Sequence, residues 1–216
     1  MYQVIEAVTK ATSAKRYLEV GVWDGVHLAS VDIADKTGID ILERPAILDD
    51  ATRYTEGNSH DALSELAGER FDVIFIDGLH HYEHCIKDIL LALNLLTSTG
   101  AIVVHDVFPL DSPDAVSAVP RASGEWTGDV WKVVPHVLCA WTGFQGYVVV
   151  DYPGWFVMWP SAFGIPCNPA WALPGIDLDC EHPFENVGIE WARNNRHVFN
   201  ISRIENLINE MKIRRF

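Results

Sequence analysis

Two short segments of the sequence combine carboxylate and imidazole side chains where predicted buried strands end. Asp77 closes the apolar run FDVIFID, and His105 and Asp106 close the apolar run AIVVHD. The chain between them has the length of one helix, so we expect neighbouring parallel strands, about 4.8 Å apart, whose carboxyl ends meet at one edge. Carboxylates held this close either raise a pKa or recruit a cation. The alternative is that Asp106 caps a turn and His105 packs in the core.

A divalent metal would remove the repulsion between Asp77 and Asp106. Oxygen-rich ligation favours Mg²⁺ or Ca²⁺, whereas a histidine ligand also admits Mn²⁺, Fe²⁺ or Zn²⁺. We therefore predict Asp77, His105 and Asp106 as the ligands of a divalent cation.

A second group of residues follows the first two predicted strands. Glu19, Gly21 and Gly25 lie in EVGVWDG, where glycine lets the backbone turn tightly and approach a ligand closely. Asp40 ends the next predicted strand, where a carboxylate commonly holds the ribose hydroxyls of a nucleotide cofactor. The alternatives are a plain structural turn and an exposed acid at a strand end. A dinucleotide is disfavoured, because GxGxxG is absent and Glu19 would face a pyrophosphate, whereas a positively charged sulfonium cofactor tolerates the acid.

The elements that would position these residues alternate along the first half of the chain. Helices are predicted over residues 2–14, 26–35 (short or irregular), 45–52, 61–69 and 81–96. Apolar periodicity supports the first and the last, and the glycine of STG at 98–100 ends the last. Short apolar runs predict strands over residues 17–20, 71–78 and 101–107; a strand that ends in an acid is predicted over 36–40, and a further strand inside 51–59. This alternation predicts a Rossmann-like α/β fold: a doubly wound, mostly parallel sheet with helices on both faces in three layers.

The second half is less regular. It predicts a loop over 108–127, a helix over 128–141, a hairpin of strands 147–152 and 155–160, a loop over 161–183 and a final helix in IENLINEMKI. We expect one domain over residues 1–216, with a cofactor half to about residue 107 and substrate-side elements over about 108–216.

The net charge and the hydropathy of the sequence indicate which classes of partner the protein has. The chain has 216 residues and a net charge of −14, which argues against nucleic acid, because nucleic-acid binding needs a basic face. There is no signal-peptide pattern and no run approaching the roughly 20 apolar residues of a membrane span. The four cysteines show no zinc spacing. We expect a cytoplasmic protein with no membrane partner; the aromatic-rich second half is compatible with either a homo-oligomer interface or a core.

Taken together, these motifs resemble the class I S-adenosylmethionine-dependent methyltransferases over about residues 15–110. EVGVWDG is similar to their first motif, Asp40 to their ribose acid, and EGNS at 56–59 to the turn that borders the adenine. The resemblance implies S-adenosylmethionine as the cofactor, contacted by Glu19, Gly21, Val22, Gly25, Asp40, Asn58, Ser59 and Asp77.

Within that class, FIDGLHHYE and VVHD are similar to the macrocin-type sugar O-methyltransferases and their relatives. The resemblance implies Mg²⁺ at the positions of Asp77, residue 105 and Asp106, although residue 105 is His here rather than an acid. It also implies that His80 is the general base, and an imidazole can take a proton from a hydroxyl near pH 7. His81 is the second choice as base, and His84 is more typical of a solvated helix face.

The function implied is metal-assisted O-methylation of a small hydroxylated molecule, such as a sugar. Trp126 and Trp131 would either line the substrate pocket or pack in the core, and Asp129 and Lys132 would either contact substrate or form a surface pair. Three alternatives stay open: a metal-independent methyltransferase, a metal-dependent hydrolase built on HD and DGxHH, and a noncatalytic nucleotide-binding protein.

Overall fold

The computed structural model describes residues 3–108, 116–120, 126–141, 143–150, 153–161, 176 and 180–213. The helices are α1 (Gln3–Thr12), α2 (Val26–Ser30), α3 (Ser59–Glu65), α4 (Tyr82–Leu93), α5 (Val133–Ala140), α6 (Ile189–Asn194) and α7 (Ile204–Ile213). The strands are β1 (Arg16–Val20), β2 (Asp35–Asp40), β3 (Arg53–Glu56), β4 (Phe71–Ile76), β5 (Leu96–His105), β6 (Phe144–Val149), β7 (Trp155–Pro160) and β8 (Ile201–Ser202). Two 3₁₀ turns, Val130–Lys132 and Arg196–Phe199, flank α5 and β8.

The strands form one sheet in the order β3-β2-β1-β4-β5-β7-β6-β8. Strands β1 to β5 are parallel, β7 runs antiparallel to both β5 and β6, and β8 pairs in parallel with β6. This arrangement confirms the predicted doubly wound, mostly parallel sheet. The order reverses at β1 and β4, and the crevice at such a switch point is where ligands bind in open α/β sheets.

The sheet carries a hydrophobic layer on each face. On one face, Ile74 and Ile102 pack with Ile86 and Ile89 of α4. On the other, Val73 and Val103 pack with Val8 of α1 and Leu207 of α7. Because both faces are covered, β4 is continuously apolar from Val73 to Ile76 rather than alternating.

The structure corrects three boundaries in the first half. Residues 45–52 form turns rather than a helix, and the Asp49 carboxylate accepts hydrogen bonds from the Thr52 backbone and hydroxyl. The residues STG at 98–100 do not end α4, which stops at Leu93; they lie inside β5, where Leu96 pairs with Phe71. The predicted helix over 26–35 ends at Ser30, since Asp35 already pairs with Arg16 in the sheet.

In the second half, the predicted hairpin and the final helix are confirmed by β6, β7 and α7. The predicted helix over 128–141 is a 3₁₀ turn followed by α5, which tolerates Pro135 because that residue lies in the first helical turn. Helix α6 and strand β8 were not predicted. Most of the predicted loops over 108–127 and 161–183 lies outside the described residues. Within the described parts of the chain, no helix is long and apolar enough to cross a membrane.

Candidate functional site

A cavity of about 940 Å³ opens at the carboxyl ends of β1, β2, β4 and β5. Its wall combines the glycine turn after β1, the acid at the end of β2 and the polar residues that follow β4 and β5. Of the predicted site residues it is lined by Gly21, Asp40, Asn58, Ser59, Asp77, His80, His105 and Asp106. The predicted residues Glu19, Val22, Gly25 and His81 do not line it.

The turn after β1 packs directly against the end of β4. Gly21 has φ +87°, and a Cβ there would lie 2.0 Å from the carbonyl oxygen of Asp77. Only glycine fits this close approach, because any side chain would push the two strand ends apart. Val22 is buried in the core, and Gly25 packs against Pro45. Trp23 is 73% exposed and lines the cavity; no sequence signal had distinguished it from the rest of the motif.

Asp40 fixes the opposite wall of the cavity. Its Oδ2 accepts a hydrogen bond from the backbone N–H of Trp23 at 2.7 Å, and its Oδ1 accepts one from Leu42 at 2.9 Å. The Asn58 side chain caps α3 by accepting from the backbone N–H of His60, and the Ser59 hydroxyl lies 3.0 Å from Nε2 of His84. The turns after β2 and β3 are therefore held by their own side chains.

Glu19 points into the protein rather than into the cavity. Its carboxylate accepts a hydrogen bond from the Tyr17 hydroxyl at 2.8 Å and pairs with His27 Nδ1 at 2.6 Å. Burial raises the pKa of Glu19, while His27 and Tyr17 oppose the rise. Its Oε1 atom is buried without a hydrogen bond among the described residues. A cofactor contact of Glu19 stays a prediction.

Two carboxylates and two imidazoles meet at the end of the cavity that β4 and β5 form. His80 Nε2 lies 3.1 Å from Asp106 Oδ2 and 3.6 Å from Asp77 Oδ1. His105 Nδ1 lies 3.3 Å from Asp77 Oδ1 and 3.4 Å from Asp106 Oδ1. The expectation that the two strand ends bring these residues together is therefore met by the parallel pairing of β4 and β5.

The charges in this cluster support one another. Burial would raise the pKa of Asp77, but hydrogen bonds with His105 and His80 outweigh it and hold that pKa well below its ordinary range. Burial would lower the pKa of His80, but Asp77, the charge of Asp106 and the Trp126 carbonyl raise it to about 9. The pKa of His105 is also raised, because its two carboxylate neighbours outweigh the effect of burial.

The donor set fits a divalent cation. Asp77, His80 and Asp106 each offer one ligand atom, and these atoms all lie within 4.8 Å of one another. The predicted set had His105 in place of His80. The His105 Nδ1 atom faces the same carboxylates, while its Nε2 atom is buried without a hydrogen bond among the described residues and its ring packs on Trp155. Two carboxylates with either imidazole suit Mg²⁺, Mn²⁺ or Zn²⁺.

The backbone around the cluster is unusually constrained. Asp106 has φ +60°, a conformation that few residues other than glycine adopt and that persists only where the surroundings impose it. Gly128 has φ +62°, and a Cβ there would lie 1.7 Å from the carbonyl oxygen of His80. The segment after Trp126 therefore presses on the His80 backbone, and His80 Nδ1 donates to the Trp126 carbonyl at 2.9 Å.

The structure separates the residues of the stretch GEWTGDVWK. Trp126 lines the cavity, and its ring lies 5.6 Å from the ring of His80. Trp131 is buried in the core and donates its indole N–H to the Val116 carbonyl. Asp129 and Lys132 form a buried ion pair at 2.9 Å rather than a surface pair, and Asp129 also accepts from the Tyr82 backbone N–H that begins α4.

The two histidines near His80 have other surroundings. His81 lines a separate cavity of about 730 Å³, and its ring meets the edge of Trp126. His84 is not on a solvated face, as the sequence had favoured; its side chain is 20% exposed and its ring stacks on that of His60 at 4.0 Å.

Comparison with known proteins agrees with this geometry. Residues 11–107 match the model of a family described as a methyltransferase domain. The matched segment runs from the end of α1 to just beyond β5 and contains Asp40, Asp77, His80 and Asp106. No curated protein matches the chain.

Solved structures that share the fold include the following three. The SAH-bound Podospora anserina methyltransferase PaMTH1 has a TM-score of 0.55 at 18% identity, over 74% of this chain and 78% of that one. The Bacillus cereus O-methyltransferase in complex with SAH has a TM-score of 0.55 at 16% identity, over 73% and 79%. The Streptomyces achromogenes O-methyltransferase TomG, in complex with SAM, has a TM-score of 0.52 at 17% identity, over 73% and 79%.

The domain match and the fold confirm the resemblance to the class I S-adenosylmethionine-dependent methyltransferases and the prediction of a methyltransferase. The narrower resemblance to the macrocin-type enzymes stays a prediction.

Proposed function

We propose that this protein transfers a methyl group from S-adenosylmethionine to a hydroxyl group of a small molecule, with a divalent cation assisting. One observation carries the proposal. A single cavity has the strand-end acid Asp40 in one wall and the Asp77–His80–Asp106 cluster in another. A nucleoside-binding carboxylate and a hydroxyl-activating group therefore face the same space. The O-methyltransferases that share the fold support the same reaction class.

In this proposal the cofactor lies between Asp40 and the glycine turn after β1. The Asp40 carboxylate accepts from the ribose hydroxyls with the lone pairs that the backbone N–H groups of Trp23 and Leu42 leave available. Asn58 and Ser59 border the adenine, and Trp23 covers it from the solvent side. When bound, the cofactor supplies an electrophilic methyl group.

The acceptor hydroxyl lies at the other end of the cavity. Asp77, Asp106 and one imidazole hold the divalent cation, which when bound lowers the pKa of the hydroxyl and orients it. His80 Nε2 can bind the cation or accept the hydroxyl proton, but it cannot do both at once. We assign the third ligand to His105, whose Nδ1 faces both carboxylates. That leaves His80 as the base, with its ring oriented by the bond from Nδ1 to the Trp126 carbonyl. A base must be unprotonated, and a cation bound by Asp77 and Asp106 would lower the raised pKa of His80 by offsetting the carboxylate charges that cause it.

The walls beside the cluster suit a small molecule with an apolar face. Trp126 and Leu79 line the cavity next to His80. Aromatic side chains pack on the apolar faces of sugar rings and of other planar groups, so we propose a sugar or a similar hydroxylated molecule as the acceptor.

A metal-independent methyltransferase is the second candidate, and the charge balance of the cluster favours it. His80 and His105 already lie within 3.6 Å of the two carboxylates and can neutralise them as imidazolium ions. In that case the carboxylates orient the imidazoles, and no cation is needed for the site to be stable.

The test is a transfer assay with methyl-labelled S-adenosylmethionine and a panel of sugars, phenols and amines. Label on a hydroxyl acceptor, lost with EDTA and restored by Mg²⁺ or Mn²⁺, supports the first candidate. Label that survives chelation supports the second. A protein that binds NAD or ATP in calorimetry but neither S-adenosylmethionine nor S-adenosylhomocysteine contradicts both.

The proposal includes no nucleic-acid or membrane partner, in line with the net charge of −14. A cytoplasmic location and a homo-oligomer stay predictions.

A further inference from the structure

A second cluster of possible metal ligands lies between α3 and α4 and shares no residue with the cluster described above. It consists of His60 near the start of α3, and His84 and Asp88 one turn apart on α4. Residues four apart on a helix project from the same face, so His84 and Asp88 both point towards α3. The three ligand atoms lie within 4.8 Å of one another.

The spacing matches a tetrahedral metal site. His60 Nε2 lies 3.5 Å from Asp88 Oδ1, and His84 Nε2 lies 3.7 Å from Asp88 Oδ2. Zinc bonds to nitrogen and oxygen of about 2.0–2.1 Å place tetrahedral ligand atoms about 3.3 Å apart. To bind one ion, the two Nε2 atoms would move closer together and give up their present contacts, that of His60 with the His84 carbonyl and that of His84 with the Ser59 hydroxyl.

Asp88 is the observation that points to a ligand. Its side chain is 1% exposed, and neither carboxylate oxygen has a hydrogen bond to any residue that the structure describes. Burial raises the pKa of Asp88 to about 7, and the Ser59 hydroxyl and the Lys87 ammonium oppose the rise only in part. Buried carboxylates are normally paired, hydrogen-bonded or bound to a metal. The contacts of Asp88 with the two imidazoles, at 3.5 and 3.7 Å, are longer than hydrogen bonds, and a cation between these groups would bind the carboxylate directly.

The site is also accessible. The side chains of His60 and His84 are 17% and 20% exposed, and both residues line the cavity of about 730 Å³. His84 lines the larger cavity as well. An ion can therefore enter from solvent while the Asp88 carboxylate stays buried beneath the two rings.

We propose that His60, His84 and Asp88 form a binding site for a divalent transition-metal ion of the zinc type. Two imidazoles and one carboxylate are borderline ligands that suit Zn²⁺ better than Mg²⁺ or Ca²⁺, which prefer oxygen. The ion links α3 to α4, and it replaces the Ser59 hydroxyl as the partner of His84 Nε2. This site goes beyond the proposed function, since no step of methyl transfer uses it.

The experiment measures zinc binding rather than activity. We use metal-stripped protein carrying Asp77→Asn and Asp106→Asn, so that the first cluster loses its carboxylates. Calorimetry with Zn²⁺ should show one equivalent bound, and Co²⁺ should give the intense visible absorption of a tetrahedral site. Adding Asp88→Asn or His60→Ala should weaken zinc binding at least tenfold, about 1.4 kcal/mol. The exposed His197 provides the matched control, and His197→Ala should leave the affinity unchanged.

Two results would overturn the proposal. One is that the protein carrying Asp77→Asn and Asp106→Asn binds no zinc. The other is that neither Asp88→Asn nor His60→Ala, added to that protein, changes its zinc affinity. Circular dichroism and thermal melting without metal establish that each variant is folded. If Asp88→Asn is not, the partly exposed His60 carries the test: Zn²⁺ should raise the melting temperature of the background protein but not that of its His60→Ala derivative.

Discussion

The Nε2 atom of His80 lies 3.1 Å from the Oδ2 atom of Asp106, although one residue follows β4 and the other follows β5. Two constraints produce this contact. The parallel pairing of β4 with β5 aligns the strand ends, and Asp106, which has a left-handed backbone at φ +60°, lines the cavity beside His80. The contact joins the predicted base to a predicted metal ligand. Asp40, the predicted cofactor ligand, lines the same cavity.

Replacing Asp40 tests the cofactor assignment. Asp40→Ala should weaken S-adenosylhomocysteine binding at least tenfold, about 1.4 kcal/mol, because it removes the proposed ribose acceptor and loosens the turn at Trp23. Isothermal titration calorimetry measures the change. Asp35→Asn is the matched control, since Asp35 begins the same strand at the opposite edge of the sheet and should not affect binding. Equal affinities of the wild type and Asp40→Ala for S-adenosylhomocysteine would contradict the assignment of Asp40 to the ribose.

Chelation tests the metal. EDTA should abolish methyl transfer, and Mg²⁺ or Mn²⁺ should restore it, because Asp77 and Asp106 are the proposed ligands. Asp106→Asn should raise the Mg²⁺ concentration needed for half-maximal activity, whereas Asp50→Asn, an exposed acid far from β5 in sequence, should not. Full activity after exhaustive chelation would instead establish the metal-independent mechanism.

Separate variants of the adjacent histidines test the base. His80→Ala should lower kcat by roughly 10²–10⁴, the usual effect of losing a general base, and leave cofactor affinity nearly unchanged. His81→Ala should cost less, because His81 lines the other cavity. Steady-state kinetics with saturating cofactor measure both. A larger fall in kcat for His81→Ala than for His80→Ala would show that His81, not His80, is the base. If neither variant lowers kcat, no histidine of this turn is the base.

The buried ion pair of Asp129 and Lys132, next to the start of α4, should stabilise the folded protein. Asp129→Ala removes the carboxylate partner of Lys132 and the acceptor of the Tyr82 backbone N–H. We expect a loss of about 3 kcal/mol in the free energy of unfolding, typical of a buried pair that loses one member. Urea denaturation measures it. The exposed pair of Lys10 and Glu6 is the control: Glu6→Gln should change stability by less than about 0.5 kcal/mol. Similar small changes in both variants would contradict the structural role of Asp129.

His136 should make stability depend on pH. Burial, with a smaller contribution from His182, lowers the pKa of His136 from 6.5 to about 4, and its Nδ1 lies 2.7 Å from the Tyr82 hydroxyl. Between these values the unfolded state binds more protons, so stability is full above about pH 6.5 and falls as the pH falls towards 4. Between pH 7 and 5 the wild type should lose about 2 kcal/mol more than His136→Gln. Parallel stability curves for the two proteins would contradict this assignment.

Local patterns in the sequence were sufficient for most of the first half. Asp40 marks the end of β2, Asp77 follows the apolar stretch of β4, and Asp106 follows β5. These strands could be predicted because strands of a parallel sheet are covered on both faces and end in polar residues at one edge. The helix predicted over 45–52 failed because the hydrogen bonds from Thr52 to Asp49 favour a turn.

Tertiary structure alone decided which residues face one another. The sequence indicated that Asp77, His105 and Asp106 converge, but not that His80 Nε2 comes within 3.1 Å of Asp106 or that Gly128 presses on the His80 backbone. Nor did the sequence indicate that the Glu19 carboxylate accepts from the Tyr17 hydroxyl and pairs with His27. Spacing along the chain predicts where a strand ends. The direction of a side chain at that end depends on contacts with residues far away in sequence, which no local pattern records.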